Sequence, residues 1–510
     1  MEYWLLTFGL LGQFLFGGAC AWILTRRASA SFVQTSDYDQ LTTVAEITDL
    51  GIVLGTGLTS FGQLVWSLCG GQLGRGPVLA VSLTGLLAVG ILPFLHHRTR
   101  SRVSCDQRQS LTPGGRRWCR ACAVLVLLVF IVQASFTLMT PQRLWDERAH
   151  YASKATVLFH DQTVNSEELL HPDWVQGHPN YPLLLPLAEH NVYALLGRVD
   201  DRIAKLVPVF LFFGTVLAFA GVVGRSVGPP QGWLCAVLLS TVPVMAFDDY
   251  GALCVQADAP VGCFHGVSVL CLWDALRTVD ISRRTMYGSL AAAGIAAGLA
   301  RFTKDEAFVF FLVDLTALAF LVALPWFVSG LKLKSHSARR NEDGAFRQIL
   351  GIVLFAGLAL ALIGPWAWHR SHLPEFEDMR YLDRLSWSRL VGEVRTLTWS
   401  IPHMIFRMFV EAPRWGIQWW VAAAAIVMRP RRLLDRPQML LVIDFVGAIA
   451  AFLVAGMLAP MPYQEHLGNS SHRFLMQLTP VSILLIVGQW GMVSQPKPVD
   501  TAQSEMNHQT

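Results

Sequence analysis

The sequence predicts an all-α, polytopic transmembrane helical bundle. Of its 510 residues, 53% are hydrophobic and only 15% are charged, whereas about a quarter of a soluble domain is charged. Apolar runs long enough to cross the roughly 30 Å core of a bilayer recur along the whole chain. This composition excludes a disordered protein, and those runs argue against a water-soluble multidomain enzyme. The balance of 40 basic against 36 acidic side chains argues against a nucleic-acid partner.

The apolar runs predict eleven to thirteen membrane spans, the lower number applying if the short runs 288–300 and 416–428 are broken or re-entrant helices. The other candidate spans lie at 3–24, 50–69, 77–95, 121–139, 206–223, 232–247, 259–276, 307–328, 349–366, 438–458 and 474–493.

The distribution of charge predicts how these spans are oriented. If the sides of the membrane alternate, one set of loops, whose most basic member is 96–120, carries 22 Lys and Arg against nine acidic residues. Loops rich in Lys and Arg stay in the cytoplasm. The long loops 140–205 and 367–415 are therefore expected to face the periplasm or the cell exterior, and we expect interfacial helices within them.

The first of these outward loops opens with a segment, 141–151, that is typical of an interfacial helix. On a helix Asp146 shares a face with His150, and Glu147 shares another with Tyr151. The adjacent Asp146 and Glu147 point about 100° apart, so only one of them should face a given site. The alternative is an acidic pair in the first turn that complements the helix dipole.

Further along the same loop, prolines at 179, 182 and 186 exclude a regular helix. His178 and Tyr181 therefore lie on a rigid, extended segment that leads back to the membrane. They are candidates for substrate binding, and a purely structural re-entry loop is the alternative.

Three charged residues stand where later apolar runs begin or meet. Asp258 precedes Pro260 at the start of a run, where it could bind a ligand or cap the helix. Lys304 lies between two runs, and Arg473 lies at the start of the last run. Both cations suit a phosphate group, and the alternative for both is an interfacial anchor that extends towards water.

Two aspartates, Asp314 and Asp444, fall inside predicted spans. Carboxylates at that depth are costly and often functional, but neither has a partner nearby in the sequence. We therefore favour interhelical hydrogen bonds for both. Aspartates alone do not establish a metal site, so no residue is assigned as a metal ligand, and no cofactor is certain; a divalent cation stays open.

The order of these motifs resembles the GT-C superfamily of integral-membrane glycosyltransferases, and in particular the protein-mannosyltransferase and aminoarabinose-transferase branch. The motifs are Asp-Glu near the start of an outward helix, His-Pro-Asn-Tyr-Pro-Leu-Leu, Ala-Asp-Ala-Pro and Thr-Lys-Asp-Glu. The resemblance covers about 120–310 and the start of the last span. It implies a catalytic membrane domain over 116–495. Hydropathy and charge predict transmembrane helices and a basic cytoplasmic loop in 1–115, which the resemblance does not cover, and a polar tail, 496–510.

The resemblance also implies a reaction. The donor would be a polyprenyl-phosphate-linked sugar, hexose or pentose, and the acceptor a hydroxyl of a glycan, lipid or protein, at the outer face of what we expect to be a bacterial inner membrane. Asp146 would act as general base, or Glu147 if the register slips by one residue. Asp258 would hold the second-loop acidic position, and Lys304 and Arg473 would face the donor phosphate. Transfer with a single base would invert the anomeric configuration.

Two other functions stay open on the sequence alone. They are a transporter or flippase for a lipid-linked or amphipathic solute, and a structural partner in an envelope-assembly complex. A transporter is expected to show internal repeats and charged or broken helices at the bilayer midplane. The sequence shows no convincing repeat, and its ionisable residues concentrate at the outer interface. A structural role leaves the acidic residues without a function, so the transferase is favoured.

The orientation can be tested by labelling introduced cysteines with a membrane-impermeant maleimide. A cysteine at Glu167 should react in intact cells, and one at Arg108 should react only after permeabilisation, because the basic loop is expected in the cytoplasm. The unmodified chain gives the background from native cysteines. The reverse pattern would invert the orientation.

Overall fold

The computed structural model describes residues 2–25, 37–97, 111–174, 177–278, 283–331, 338–374 and 381–490. Within these ranges all regular structure is helical, which confirms the predicted all-α polytopic bundle. Seven helices are long and apolar enough to cross a membrane, and one bent pair of helices would make an eighth span. The protein is therefore an integral membrane protein. Most of the basic loop 96–120 and the whole tail 496–510 lie outside the described residues.

The first four helices include two that pack very closely. A Cβ atom on Gly17 would lie 2.2 Å from the carbonyl oxygen of Gly51, and one on Gly55 would lie 2.2 Å from that of Gln13. Only glycine permits this approach of two backbones. The helices are α1 (Glu2–Thr25), α2 (Asp37–Leu68), α3 (Arg75–His97) and α4 (Pro113–Met139).

The segment after α4 forms the short helices beside the candidate site. The predicted interfacial helix starts later than Pro141 and opens with a π-helical turn, Glu147–Ala152, that continues into a regular helix. The segment that carries His178 is not helical, as its prolines predict. The helices here are α5 (Ser153–Asp161), α6 (Leu184–Leu196) and α7 (Asp201–Ala204).

The central helices include the most buried of the candidate spans, Asp258–Arg277. The predicted span 232–247 is interrupted, because its helix ends at Ser240 and Pro243 begins a separate four-residue helix. The helices are α8 (Leu206–Ser226), α9 (Pro229–Ser240), α10 (Pro243–Ala246), α11 (Asp258–Thr278), α12 (Arg283–Thr303), α13 (Ala307–Leu331) and α14 (Ala338–Arg370).

The last part of the chain contains the bent pair. Instead of one span at 474–493, a helix over Tyr463–Gln477 meets a second at an angle of 46°, with Pro480 just after the break. The helices are α15 (Trp387–Glu393), α16 (Leu397–Phe409), α17 (Ala412–Trp415), α18 (Gln418–Met428), α19 (Arg436–Leu458), α20 (Tyr463–Gln477) and α21 (Thr479–Trp490).

The expected number of eleven to thirteen spans stays a prediction, because the count of full-length apolar helices covers the described residues alone. Only seven or eight meet the length and hydropathy of a full span. The predicted short run 416–428 contains a helix of 11 residues, Gln418–Met428, which is too short to cross about 30 Å of hydrocarbon alone. A continuous apolar run does not reveal where a helix breaks.

Every residue of helix α6 is buried inside the fold, including polar side chains in its middle. Its Glu189 is 0% exposed and accepts a hydrogen bond from the side-chain amide of Gln142. Burial raises the pKa of Glu189 from 4.5 to about 8, and the carboxylates of Glu147 and Asp201 add to the effect of burial, while the hydrogen bond from Gln142 opposes it. Glu189 is therefore protonated in the folded protein at neutral pH.

Replacing this carboxyl group should change how stability depends on pH. Because its folded pKa is raised, Glu189 contributes stability that is full below pH 4.5 and is lost as the pH rises to about 8. Glu189→Gln stays neutral and keeps an acceptor for Gln142. It should remove a slope of up to about 1.4 kcal/mol per pH unit in this window.

Thermal unfolding of the purified full chain in detergent from pH 4.5 to 8.5 measures this difference. Glu167→Gln, which alters an exposed carboxylate, is the matched control. Parallel pH profiles for wild type and Glu189→Gln would show that Glu189 is ionised in the folded state.

Candidate active site

The candidate site is built around the carboxylate of Asp258, which is fully buried at the first turn of α11. Its Oδ1 accepts hydrogen bonds from Nζ of Lys304 at 2.7 Å and from Nε2 of Gln477 at 3.0 Å. Its Oδ2 accepts from Nε of Arg473 at 2.9 Å and from Nη2 of the same guanidinium at 2.6 Å. One carboxylate therefore joins α11, the α12–α13 connection and α20.

Asp146 approaches this cluster from the loop 140–205. Its Oδ2 lies 3.6 Å from Nη2 of Arg473, and its Oδ1 lies 3.7 Å from Nε2 of His150. Both distances exceed those of hydrogen bonds, and the Asp146 side chain is 32% exposed. Its carboxylate thus lies at the edge of the cluster with accessible surface for another molecule.

Glu147 faces different surroundings from its neighbour. Its buried Oε2 accepts from the backbone N–H groups of Arg143 at 2.9 Å and Leu144 at 3.0 Å. Its Oε1 accepts from the backbone N–H of Val255 at 3.0 Å and lies 3.8 Å from Nζ of Lys205. Glu147 therefore connects the start of the loop 140–205 to the loop before α11.

Three rings line the site beside Asp146. The ring centroids of His150 and His178 are 4.6 Å apart, and those of His150 and Tyr181 are 5.3 Å apart. His178 also stacks on Tyr181 at 4.9 Å. Burial raises the pKa of the Tyr181 phenol to about 12, so it stays a neutral hydrogen-bonding group at physiological pH.

A buried lysine holds this aromatic segment in place. Lys154 is 0% exposed, and its Nζ donates to the backbone carbonyls of His178 at 2.6 Å and Tyr181 at 3.2 Å. His178 has a positive φ of 43°, a backbone conformation that non-glycine residues rarely adopt. Burial lowers the pKa of Lys154 to about 7, with the more distant Asp305 opposing the shift. The two carbonyls therefore depend on a single buried donor.

The two cations of the site keep hydrogen-bonding capacity for a ligand. Burial alone would lower the pKa of Lys304, but the carboxylates of Asp258 and Glu306 reverse this and raise it, so Lys304 is charged. Arg473 packs over the ring of Tyr250 at 4.8 Å. Among the described residues no hydrogen-bond acceptor contacts Nη1 of Arg473. That nitrogen can donate to an incoming anion.

Seven of the eight residues that the sequence suggested for the site are connected by contacts with one another. The eighth, Glu147, accepts hydrogen bonds from backbone amides instead. The seven are Asp146, His150, His178, Tyr181, Asp258, Lys304 and Arg473. Asp258 is the first residue of its helix and not the residue before it. Its oxygens contact other side chains in place of the capping role considered from the sequence.

Sequence reasoning missed two residues that shape the site. Gln477 donates to Asp258 and also, at 3.1 Å, to Glu306. It lies four residues after Arg473, and that spacing places both on one helix face, so the pattern was available. Lys154 gave no usable signal, because a lone lysine on a polar helix is normally exposed.

Comparisons with known proteins give little further identification. No family model matches the chain, and no curated protein matches it. The archaeal oligosaccharyltransferase from Archaeoglobus fulgidus, solved with zinc and sulfate, is similar at 12% identity and a TM-score of 0.41, covering 70% of this chain and 48% of its own. The same organism's oligosaccharyltransferase AglB, solved with an inhibitory peptide and dolichol-phosphate, is similar at 13% identity and a TM-score of 0.40. That match covers 71% of this chain and 50% of the AglB chain.

This chain thus spans about half the length of the structures that it matches. At these identities and TM-scores the similarity identifies neither a family nor a function, so the assignment depends on the site itself.

Removing the buried donor of Lys154 should weaken the aromatic segment. Lys154→Met retains most of the side-chain volume but leaves two buried carbonyls without their donor, which should cost about 1–3 kcal/mol of unfolding free energy. Arg148→Met, which removes an exposed cation from the same helical region, is the matched control.

Thermal unfolding and limited proteolysis within 177–183 provide the two measurements. Lys154→Met should melt earlier and be cleaved faster than either wild type or Arg148→Met. Unchanged melting and cleavage would show that Lys154 does not support this segment.

Proposed function

We propose that this protein is a GT-C-like membrane glycosyltransferase. It transfers a sugar from a polyprenyl-phosphate-linked donor to an acceptor hydroxyl at the outer face of the membrane. The observation that carries this proposal is the meeting of Asp146, Asp258, Lys304 and Arg473 in one cluster, although 215 residues separate Asp258 from Arg473. A base beside two phosphate-binding cations is the arrangement that such a transfer needs.

Asp146 is the proposed general base. The acceptor oxygen attacks the anomeric carbon, its proton passes to the carboxylate of Asp146, and the bond from the anomeric carbon to the phosphate oxygen breaks. Asp146 suits this role because it is partly exposed and its two neighbours, His150 and Arg473, lie beyond hydrogen-bond distance. Attack opposite the leaving group inverts the anomeric configuration.

Lys304 and Arg473 are the proposed partners of the departing phosphate. As the bond breaks, negative charge develops on the phosphate oxygens, and fixed cations stabilise it without reorganising. Asp258 positions both cations, because its two oxygens bind one each. The Nη1 group of Arg473 provides the donor for a first contact, since it has no acceptor in the described part of the chain.

The hydrogen bonds of Glu147 favour Asp146 over it as the base. Three backbone amides already donate to the Glu147 carboxylate, which is 0% exposed. Proton abstraction would break those bonds and release the loop that they hold. His150, His178 and Tyr181 are proposed to bind the sugar or the acceptor, because their rings flank Asp146 and offer both stacking faces and polar atoms.

One observation favours the second candidate, a transporter or flippase of a lipid-linked solute. His265, Asp314 and Asp444 lie buried together on three membrane helices, and ionisable groups at such depth often mark transport pathways. A transporter would move the lipid-linked sugar without breaking its bond to phosphate, so release of free polyprenyl phosphate distinguishes the two functions.

The proposed base can be tested in membranes that contain the natural acceptor. Supplied with radiolabelled polyprenyl-phosphate hexose or pentose, wild type should release polyprenyl phosphate and label an acceptor. Asp146→Asn should lower the rate about 10²–10⁴-fold, because the amide cannot accept the proton.

Asp173→Asn, which alters a carboxylate that is 92% exposed in the same outward loop, should leave the rate unchanged. Expression and melting temperature are compared for all three proteins. An Asp146→Asn variant with the wild-type rate would rule out Asp146 as the base, and absence of release by wild type with all donors would favour the transporter.

A further inference from the structure

A second polar cluster lies inside the helical bundle, apart from the candidate active site. His265 of α11, Asp314 of α13 and Asp444 of α19 come from three separate helices and are 2%, 0% and 0% exposed. One ligand atom from each lies within 4.8 Å of the others. His265 follows Asp258 by seven residues, which corresponds to about 10 Å along the helix.

The carboxylates of this cluster have oxygens that nothing in the described ranges satisfies. His265 Nε2 lies 3.1 Å from Oδ1 of Asp444. Neither oxygen of Asp314 has a hydrogen-bond donor among the described residues, nor has Oδ2 of Asp444. A buried carboxylate without a donor is costly in a protein core and costlier in a membrane. The cluster therefore calls for a further partner.

A proton and a divalent cation are the two species that could enter. One proton shared between Asp314 and Asp444 would satisfy only the pair of oxygens that it joins. A divalent cation balances the charge of both carboxylates and contacts oxygens of both. The observed geometry suits the cation better, because one ligand atom from each of three different helices lies within 4.8 Å of the other two, and a cation can contact all three.

The donor set also indicates which cation. One imidazole nitrogen and two carboxylate oxygens form a set that Zn²⁺ accepts, with three protein ligands and one further position in a tetrahedral site. The ring of His265 stacks on Phe310, with centroids 4.3 Å apart and an interplanar angle of 18°. This stacking restricts the orientation of the imidazole, as second-sphere contacts do in metal sites.

We propose that His265, Asp314 and Asp444 bind one divalent cation of the Zn²⁺ class within the bundle, and that the cation joins α11, α13 and α19. This site is independent of the proposed glycosyl transfer, because none of its three residues contacts the cluster around Asp258. Its expected effect is on the stability of the bundle and on metal content.

Metal analysis of the purified full chain tests the proposal. Wild type stripped with chelator and then given Zn²⁺ alone should retain about one equivalent and melt at a higher temperature than the stripped protein. Asp314→Asn and His265→Gln should each lower the affinity for Zn²⁺ by at least about 100-fold, as loss of a direct ligand exceeds the effect of a second-sphere change.

Asp146→Asn and Asp173→Asn should bind Zn²⁺ as wild type does, since one alters the candidate active site and the other an exposed loop. Loss of zinc in Asp146→Asn but not in Asp314→Asn would overturn the proposal. If Asp314→Asn and His265→Gln fail to fold, the zinc content and melting temperature of wild type test the proposal. Retention of less than about a tenth of an equivalent, with no rise in melting temperature, would also overturn it.

Discussion

The structure of the candidate site depends on one buried anion, Asp258. Lys304 and Arg473 would repel each other, and the Asp258 carboxylate that both contact, with Glu306 beside Lys304 and Asp146 beside Arg473, allows both cations to stay charged in the same place. Removing one partner from such a buried network typically costs about 3–5 kcal/mol. Asp258 thus has a structural and an electrostatic role, because it holds the two cations that we propose as partners of the donor phosphate.

The loops around this anion are held by buried polar contacts rather than by regular secondary structure. Glu147 connects the start of the loop 140–205 to the segment before α11, and Lys154 fixes the carbonyls of the His178–Tyr181 segment. Both side chains are fully buried. The partly exposed Asp146 directly precedes Glu147, so the contacts of Glu147 help to define its position although few contacts hold its own carboxylate. A preorganised site of this kind is what transition-state stabilisation requires.

The sequence was sufficient for the fold class and for the types of residue in the site, and insufficient for their connections. Hydropathy predicted a polytopic bundle, but it could not show that the last predicted span is bent at Leu478. The roughly 100° between adjacent helical residues predicted that Asp146 and Glu147 face different surroundings, but not which of them faces the cations. Asp314 and Asp444 had no partner in the sequence, because their common neighbour, His265, lies on a third helix. Contacts between distant helices leave no local pattern.

Helix α11 contributes residues both to the candidate active site and to the deep polar cluster. Its first residue organises the candidate active site, and His265, further along the same helix, joins the cluster in the core.

Binding of a donor phosphate by Lys304 and Arg473 is tested most directly by a cryo-electron microscopy structure. The sample is the full chain with a non-hydrolysable phosphonate analogue of a polyprenyl-phosphate sugar. The phosphonate should lie about 3 Å from Nζ of Lys304 and Nη1 of Arg473, with the anomeric carbon facing Asp146. Density for the lipid headgroup beside His265 and Asp444, or anywhere away from Arg473, would contradict it.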